Sequence, residues 1–255
     1  IKKMSKKAIN KVVVEKYNKR GWIKIKKFIS IKDINKIEKK INFFLKQNLK
    51  FYNTRNFNFA NNSNNIKNIN SFHKLEDCSE IKKLSKNKII KNIVCEFLKI
   101  NQAKLRQSEY FAKPKKIGLP VPDHQDNYYW NIKGGNALTI WIALSTSNIK
   151  NGAIYYYDGS HKYGTLKHEP SFAKGSSQRI KNKNFLKKFK KVTPKLAKGD
   201  ALIHNALIVH GSKKNISNLA RKGITFQFVD KNAKIDLKNM KKYEEQLYKQ
   251  LESRN

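Results

Sequence analysis

The second half of the chain is built from short β-type runs, and this pattern limits the fold more than any other feature. Such runs occur at residues 105–111, 138–144, 153–157, 201–204, 207–210 and 224–229, with turn-forming clusters between them. Many short strands with irregular connections are typical of sandwiches and barrels. We therefore expect a mainly β fold with flanking helices, built around a jelly-roll-like closed sheet.

Helical periodicity dominates the N-terminal part instead. The pattern predicts a helix over residues 5–20, an edge strand from residue 21, and helical structure over residues 80–99. A further helix is predicted after Ser30, a serine suited to capping a helix N-terminus. The apolar residues that follow it are spaced three or four apart: Ile31, Ile34, Ile37, Ile41 and Leu45. The polar, Asn-rich stretch from 51 to 70 predicts a long flexible loop over one end of the core.

A length of 255 residues suits a single domain, because barrels and sandwiches of this size often form one unit. Within it we expect a mainly helical scaffold over residues 1–100 and the β core over residues 101–230. A polar C-terminal helix is expected within residues 231–255.

The formal net charge of +38 would ordinarily suggest a nucleic-acid partner, since clustered cations bind phosphates by releasing counterions. Only six of the 56 basic residues are arginine, however, and the lysines are dispersed among abundant Asn and Ile, which share A/T-rich codons. A coding bias therefore explains the charge better than a specific nucleic-acid partner. A functional polyanion or membrane-surface role remains the alternative.

The sequence gives no sign of export or of a membrane span. No apolar stretch approaches the roughly 18 residues that a spanning helix needs, and the basic N-terminus lacks a signal-peptide core. We expect a cytoplasmic protein.

A candidate metal site comes from His124, Asp126 and His210. Residues 124 and 126 are two apart, so on an extended strand their side chains would project to the same face. His210 ends the apolar run 207–209, where a barrel mouth would place it. Two imidazoles and one carboxylate form the facial arrangement of non-haem Fe(II) oxygenases, which leaves coordination positions open.

Arg221 is the second candidate, eleven residues after His210 and just ahead of the next strand. Adjacent antiparallel strands would bring its guanidinium into the same cavity as the metal. A planar guanidinium is suited to binding a carboxylate in a partly dry pocket. Arginine is scarce in this chain, which strengthens the functional interpretation.

An ordered set of motifs between about residues 105 and 230 resembles the phytanoyl-CoA dioxygenase family of 2-oxoglutarate-dependent oxygenases. The matching segments are Gln107-Ser108 with Lys113-Pro114, His124-Gln125-Asp126 with Tyr129-Trp130, Trp141-Ile142-Ala143-Leu144, Asn151-Gly152, Gly159-Ser160-His161, Lys198-Gly199-Asp200, and His210-Gly211-Ser212 with Asn215 and Arg221. The resemblance implies a double-stranded β-helix core of the jelly-roll, cupin-like type.

The resemblance also implies roles for individual residues. His124, Asp126 and His210 would bind Fe(II), and Arg221 would hold the distal carboxylate of 2-oxoglutarate, with O2 as the other cosubstrate. Lys113 and Trp141 match positions that border 2-oxoglutarate in relatives.

Further positions concern the substrate. Gln107 matches a position that touches substrate in the ectoine hydroxylases, but the rest of their signature is missing after His124, so ectoine is not expected. A carboxylate at position 126 favours hydroxylation over the chlorination of related halogenases, which have a small residue there.

Several other residues are candidates for which packing is an equally good interpretation. The possible substrate contacts are Tyr128, Trp130 and Gln178. The residues that could contact and orient the metal ligands without binding the metal are His161, His204 and Ser212. His73 and His168 are predicted to be ordinary solvated loop histidines.

The predicted function is hydroxylation of a small metabolite or carrier-linked group, with release of succinate and CO2. The same iron site could instead catalyse desaturation, epimerisation or cyclisation. The non-enzyme alternative is a basic β-barrel protein that binds polyanions and is indifferent to loss of His124 or Asp126. The sequence leaves the substrate and the oligomeric state open.

Overall fold

The structure, a computed structural model, describes residues 10–62, 65–173 and 176–252. The helices are α1 (Lys11–Arg20), α2 (Ile31–Asn48), α3 (Ser79–Ser85), α4 (Lys88–Leu98), α5 (Asp126–Trp130), α6 (Lys183–Leu186) and α7 (Leu237–Glu252). The strands are β1 (Trp22–Ile25), β2 (Phe57–Phe59), β3 (Ile69–Phe72), β4 (Ala103–Lys113), β5 (Val121–His124), β6 (Ala137–Ala143), β7 (Ile154–Tyr157), β8 (His168–Ala173), β9 (Ser176–Ile180), β10 (Lys191–Val192), β11 (Ala201–Asn205), β12 (His210–Ser212) and β13 (Arg221–Asp230).

Two antiparallel sheets form the core. The larger has seven strands in the order β1-β11-β6-β13-β4-β3-β2, and the smaller has four in the order β10-β7-β12-β5. A separate two-stranded sheet pairs β8 with β9. This arrangement confirms the expected mainly β fold of the double-stranded β-helix type.

The central strand β6 shows how the large sheet separates two interiors. All seven of its residues are buried, and they alternate between the two faces as a strand requires. Leu138, Ile140 and Ile142 join the cluster shared with the N-terminal helices. Trp141 and Ala143 face the space between the two sheets instead.

The helices α1 to α4 cover the outer face of the large sheet. Helix α2 begins at the predicted cap, where the Ser30 side chain accepts a hydrogen bond from the Asp33 backbone N–H. Its buried residues are the predicted apolar ones, Ile34, Ile37, Ile41 and Leu45. Within the described ranges, no helix is both long and apolar enough to cross a membrane.

Some predicted elements differ from the observed ones. Residues 51–70 are not a continuous loop, because β2 and the start of β3 form the edge of the large sheet there. The region 80–99 contains two helices, α3 and α4, rather than one. Helix α1 begins at Lys11 behind Asn10, and the predicted helical residues 5–9 lie outside the described residues.

The elements around the candidate metal ligands also differ from the sequence prediction. Strand β5 ends at His124, and Asp126 is the first residue of helix α5 rather than part of the strand. His210 begins strand β12 instead of ending a strand over 207–210. A turn that brings the Ile208 backbone N–H to the Asn205 carbonyl occupies that stretch.

Candidate metal centre and cavity

Pairing between the strands β5 and β12 brings the two candidate histidines together. His124 and His210 lie directly opposite each other in the register, with ring centroids 4.3 Å apart. The turn after β5 returns Asp126 to the same point, where its Oδ1 lies 3.7 Å from His124 Nε2 and 3.6 Å from His210 Nε2. One donor atom from each residue lies within 4.8 Å of the others.

Hydrogen bonds orient all three side chains. The Nδ1 atoms of His124 and His210 lie 2.8 and 3.1 Å from the carbonyls of Pro122 and Ile208. An Nδ1–H donated to a carbonyl leaves Nε2 with its lone pair facing the centre. Both rings are therefore set to ligate a metal through Nε2.

Asp126 uses its two oxygens for different purposes. Oδ2 accepts hydrogen bonds from the Thr139 hydroxyl at 2.8 Å and from His204 Nε2 at 3.2 Å. The other ring nitrogen of His204 lies 3.0 Å from the hydroxyl of Tyr156, which fixes the ring. Oδ1 therefore remains available to an ion.

The protonation states suit a cation. Burial, reinforced by the nearby His124, lowers the pKa of His210 to about 3, so its ring is neutral at physiological pH. Burial would raise the pKa of Asp126, but the surrounding histidines hold it well below its usual value. One carboxylate and two imidazole nitrogens match the donor set of a non-haem Fe(II) site.

The centre opens into a cavity of about 710 Å³ between the sheets. Arg221, the first residue of β13, lines this cavity although only 4% of its surface is exposed. Its guanidinium lies 5.3 Å from the ring of Trp141, and its buried Nε has no hydrogen-bond partner. Burial lowers its pKa to about 10, so it remains charged at neutral pH.

An unpaired, buried cation is costly unless a ligand completes it. Among the described residues, no carboxylate forms an ion pair with Arg221. Arg221 therefore has the properties of a site for a ligand carboxylate.

Five of the other sequence candidates line the same cavity: Gln107, Trp130, Trp141, His204 and Ser212. Of these, His204 contacts a candidate ligand directly through its bond to Asp126.

Four candidates lie outside the cavity wall, and each has a structural contact that explains its position. Lys113 Nζ donates to the carbonyl of Leu119. Tyr128 stacks on His168 with centroids 3.9 Å apart and donates to Gln246. Gln178 is fully buried, and its backbone N–H lies 3.3 Å from the Tyr129 hydroxyl. His161 contacts the carbonyl of Asn18 in α1, away from the metal ligands.

The prediction of a solvated loop histidine was wrong for His168, whereas His73 does lie in a loop, just after β3, but with partners in the cavity wall. His73 lines the cavity, and its Nδ1 lies 2.6 Å from Glu109 Oε1. His168 begins β8 and is only 4% exposed, with its Nε2 accepting a hydrogen bond from the Gln125 backbone N–H. No spacing in the sequence distinguished either residue from a solvated loop histidine.

Sequence reasoning also missed a second polar group in the cavity wall, formed by Arg106, Glu109 and Gln227. Glu109 accepts from Gln227 Nε2 at 2.5 Å, and Arg106 Nη1 donates to Gln227 Oε1 at 2.7 Å. Alternation along β4 and β13 was the signal that could have found it, because residues 107 and 109 share one face with 225 and 227.

These features define a double-stranded β-helix protein with a site of two histidines and one aspartate in its cavity. The model of the phytanoyl-CoA dioxygenase (PhyH) family matches residues 17–223. The chain belongs to this family, as its motifs predicted.

Relatives with curated descriptions include phytanoyl-CoA dioxygenase domain-containing protein 1 of Danio rerio. It is 27% identical over 144 residues, which is 54% of this chain and 48% of the relative. The Caenorhabditis elegans homologue is 28% identical over 160 residues, 60% of this chain and 55% of the relative. The chain thus matches about half the length of these relatives.

Solved structures show the same fold at low identity. The crystal structure of EctD from S. alaskensis with 2-oxoglutarate and 5-hydroxyectoine aligns with a TM-score of 0.76 at 17% identity, covering 92% of this chain and 81% of EctD. The α-ketoglutarate-dependent carbocyclase SnoK from nogalamycin biosynthesis aligns with a TM-score of 0.72 at 17% identity, covering 90% of this chain and 87% of SnoK. The α-ketoglutarate-dependent epimerase SnoN from the same biosynthesis aligns with a TM-score of 0.67 at 16% identity, covering 88% of this chain and 84% of SnoN.

Proposed function

We propose that this protein is an Fe(II)- and 2-oxoglutarate-dependent dioxygenase that hydroxylates a small molecule and releases succinate and CO2. The observation that carries the proposal is the convergence of His124, Asp126 and His210 in one cavity with Arg221, a buried guanidinium that lacks a carboxylate partner. A metal site alone would fit many functions. A metal site beside a place for a carboxylate fits a 2-oxo acid cosubstrate.

Each residue has a defined task in this proposal. His124 and His210 supply their Nε2 atoms, and Asp126 supplies Oδ1 while Thr139 and His204 hold its other oxygen. Fe(II), together with 2-oxoglutarate and O2, supplies the oxidising power to break a C–H bond of the substrate. Arg221 binds the distal carboxylate of 2-oxoglutarate through the N–H donors along the edge of its planar guanidinium.

Trp141 fixes the position of that guanidinium. Its ring lies beneath Arg221 and fills the space opposite Gly223, where even a Cβ atom would come within 2.0 Å of the indole. The wall around the cosubstrate is therefore tightly packed. Packing of this kind excludes water from the charged contact, which strengthens it.

Family membership supports the oxygenase class, since the family is named for a dioxygenase. Hydroxylation is favoured because EctD, a structural neighbour, was solved with 2-oxoglutarate and a hydroxylated compound. The second candidate for the same site is ring formation or epimerisation, because the structural neighbours SnoK and SnoN are a carbocyclase and an epimerase. Analysis of the product by mass spectrometry separates them, because only hydroxylation adds one oxygen atom.

The test is formation of succinate from 2-oxoglutarate by the Fe(II)-loaded protein in air. We expect slow turnover even without the primary substrate, and a fall to background in Asp126→Ala. Asp230→Ala is the matched control, because Asp230 ends β13 and does not line the cavity. Equal succinate formation by wild type and Asp126→Ala contradicts the proposal.

A further inference from the structure

A second arginine, Arg106, lines the cavity while part of its side chain stays exposed to solvent, and a backbone irregularity directs it there. Strands β4 and β13 pair Gln107 with Gln227 and then Leu105 with Phe228, so Arg106 is an extra residue with no partner. In a regular strand, Arg106 and Gln107 would face opposite sides of the sheet. The bulge allows both to line the cavity, as β-bulges beside active sites do when they redirect a side chain.

Neighbouring side chains hold the Arg106 guanidinium in place. Its Nη1 donates to the amide oxygens of Gln227 at 2.7 Å and Gln107 at 3.1 Å. Its carbon Cζ lies 5.1 Å from the ring of Trp130, a cation–π distance. These contacts occupy only Nη1, and a guanidinium has five N–H donors, so Nη2 and Nε remain for a ligand.

The acidic residue nearest in sequence does not neutralise Arg106. The Glu109 carboxylate is bound by His73 at 2.6 Å and by Gln227 at 2.5 Å, and it forms no ion pair with Arg106 in the described structure. Burial would lower the pKa of His73, but the Glu109 carboxylate outweighs this and raises it. The hydrogen bonds of Glu109 therefore go to His73 and Gln227, and its charge, with those of Asp126 and Glu76, acts on Arg106 only without direct contact.

Arg106 is well separated from the proposed cosubstrate residue. Arg221 and Gln227 are six positions apart on the same strand, which corresponds to about 20 Å along β13. Arg106, bonded to Gln227, is therefore attached to a part of β13 well separated from the backbone of Arg221. Three of the six arginines of this lysine-rich chain line it: Arg55, Arg106 and Arg221. Arginine, unlike lysine, offers a planar fork that binds carboxylate or phosphate through two bonds.

We propose that the molecule oxidised in this cavity is an acid, and that Arg106 binds its carboxylate or phosphate group. The inference rests on the proposed oxygenase function and names the substrate class of that site. Apolar side chains of the cavity wall, including Phe57, Phe111 and Ile154, suit a carbon skeleton. Arg106 then positions the substrate, while Arg221 holds the cosubstrate.

The test uses the anaerobic protein loaded with Fe(II) and saturated with 2-oxoglutarate, at constant ionic strength. Calorimetric titrations compare sodium phosphate, hexanoate and its neutral counterpart hexanamide. The variants are Arg106→Gln, which removes the charge, and Arg106→Lys, which keeps the charge but loses the fork. Lys104→Gln is the matched control, because it removes one positive charge from an exposed residue of the same strand outside the cavity.

We expect hexanoate or phosphate to bind the wild type, with hexanoate at least roughly 10-fold tighter than hexanamide, as a charge-assisted hydrogen bond predicts. Arg106→Gln should weaken binding of the anion by a similar factor, and Arg106→Lys should weaken it by less. Lys104→Gln should change the anion affinity by under about twofold. The better of the two anions identifies the acid group.

Three results overturn the inference: no anion binding by the wild type, binding of hexanoate no tighter than that of hexanamide together with no binding of phosphate, or unchanged anion affinity in both Arg106 variants. The visible absorption of the same Fe(II) and 2-oxoglutarate samples is recorded in parallel. If the charge-transfer band is normal and any of these results is found, only the proposal of an acidic substrate is rejected. Absence of the band removes the oxygenase proposal itself.

Discussion

At the scale of single residues, the Thr139 hydroxyl helps to determine which oxygen of Asp126 faces the candidate metal site. Its bond to Asp126 Oδ2 helps to direct Oδ1 toward the histidines. In Thr139→Val we expect Fe(II) to bind about 10-fold more weakly, because loss of a residue that orients a metal ligand typically has an effect of this size. Competition with a chromogenic chelator measures the affinity.

The control for this substitution is Thr146→Val, which changes an exposed threonine in the same way. It should leave Fe(II) affinity unchanged. If Thr139→Val binds iron as tightly as the wild type, then His204 alone orients Asp126 and the role given to Thr139 is wrong.

Lys113 leads to a prediction on pH. Burial, and then the charge of Arg221, lower its pKa to about 6. The unfolded chain keeps an ordinary lysine with a pKa of about 10.4, so unfolding takes up a proton between these values. The stability that the neutral form contributes is fully present above about pH 10.4 and is lost as the pH falls toward about 6.

Lys113→Met removes this pH dependence. We expect the free energy of unfolding of the wild type to rise relative to Lys113→Met by about 1 kcal/mol per pH unit between pH 7 and 9. Urea unfolding measures the difference, and Lys115→Met, at an exposed lysine nearby, is the control. Parallel stability curves for wild type and Lys113→Met contradict a lowered pKa.

The residue types pointed to the right group of side chains, but the spacing arguments did not hold. His124, Asp126 and His210 meet, and Arg221 lines the same cavity. Asp126 lies in α5 rather than on the strand of His124, however, and β12 and β13 belong to different sheets instead of being adjacent strands. Arg106 could not be assigned, because its direction depends on a bulge that only the pairing with β13 creates. Lys113 matched a family motif, yet its side chain turns to the carbonyl of Leu119 instead of the cavity.

At the scale of elements, the close packing of β13 against β6 gives the next prediction. Gly223 lies beside the Trp141 indole, and an added Cβ would overlap the ring at 2.0 Å. Gly223→Ala should therefore destabilise the protein by about 1–3 kcal/mol, the usual cost of overpacking a core. Displacement of Trp141 should also disturb Arg221 and weaken 2-oxoglutarate binding.

Urea unfolding and a 2-oxoglutarate titration measure the two effects. The matched control is Gly223→Ala combined with Trp141→Phe, in which the smaller ring leaves room for the methyl group and should restore part of the stability. A Gly223→Ala variant as stable as the wild type would mean that the indole moves without cost, and the wall around Arg221 is then less rigid than described.

Element types were predictable where the hydrophobic period was long and regular, as in α2 and β13. Short segments were less predictable because tertiary contacts override local preference. His124 and Asp126 were expected on one strand, but a turn into α5 brings the Asn127 backbone N–H to the carbonyl of Ala206. The Asn-rich stretch from 51 to 70 contains β2 because β3 offers it a sheet edge.

At the scale of the whole molecule, the fold class followed from the number of short strands, whereas the strand order did not. Strand β1 pairs with β11, about 180 residues later, and the partners in β4 and β13 are 108 to 127 residues apart. Such contacts depend on the closed three-dimensional arrangement and leave no local signal. The cavity, formed between the sheets and bordered by Tyr243 of α7, could not be foreseen for the same reason.

The most direct test of the central claim is anaerobic visible absorption of the purified protein with Fe(II) and 2-oxoglutarate, because it needs no knowledge of the substrate. We predict a metal-to-ligand charge-transfer band in the wild type, no band in His210→Ala, and a band in Arg221→Ala only at higher 2-oxoglutarate concentration. A folded, iron-loaded wild type that shows no band would contradict the account.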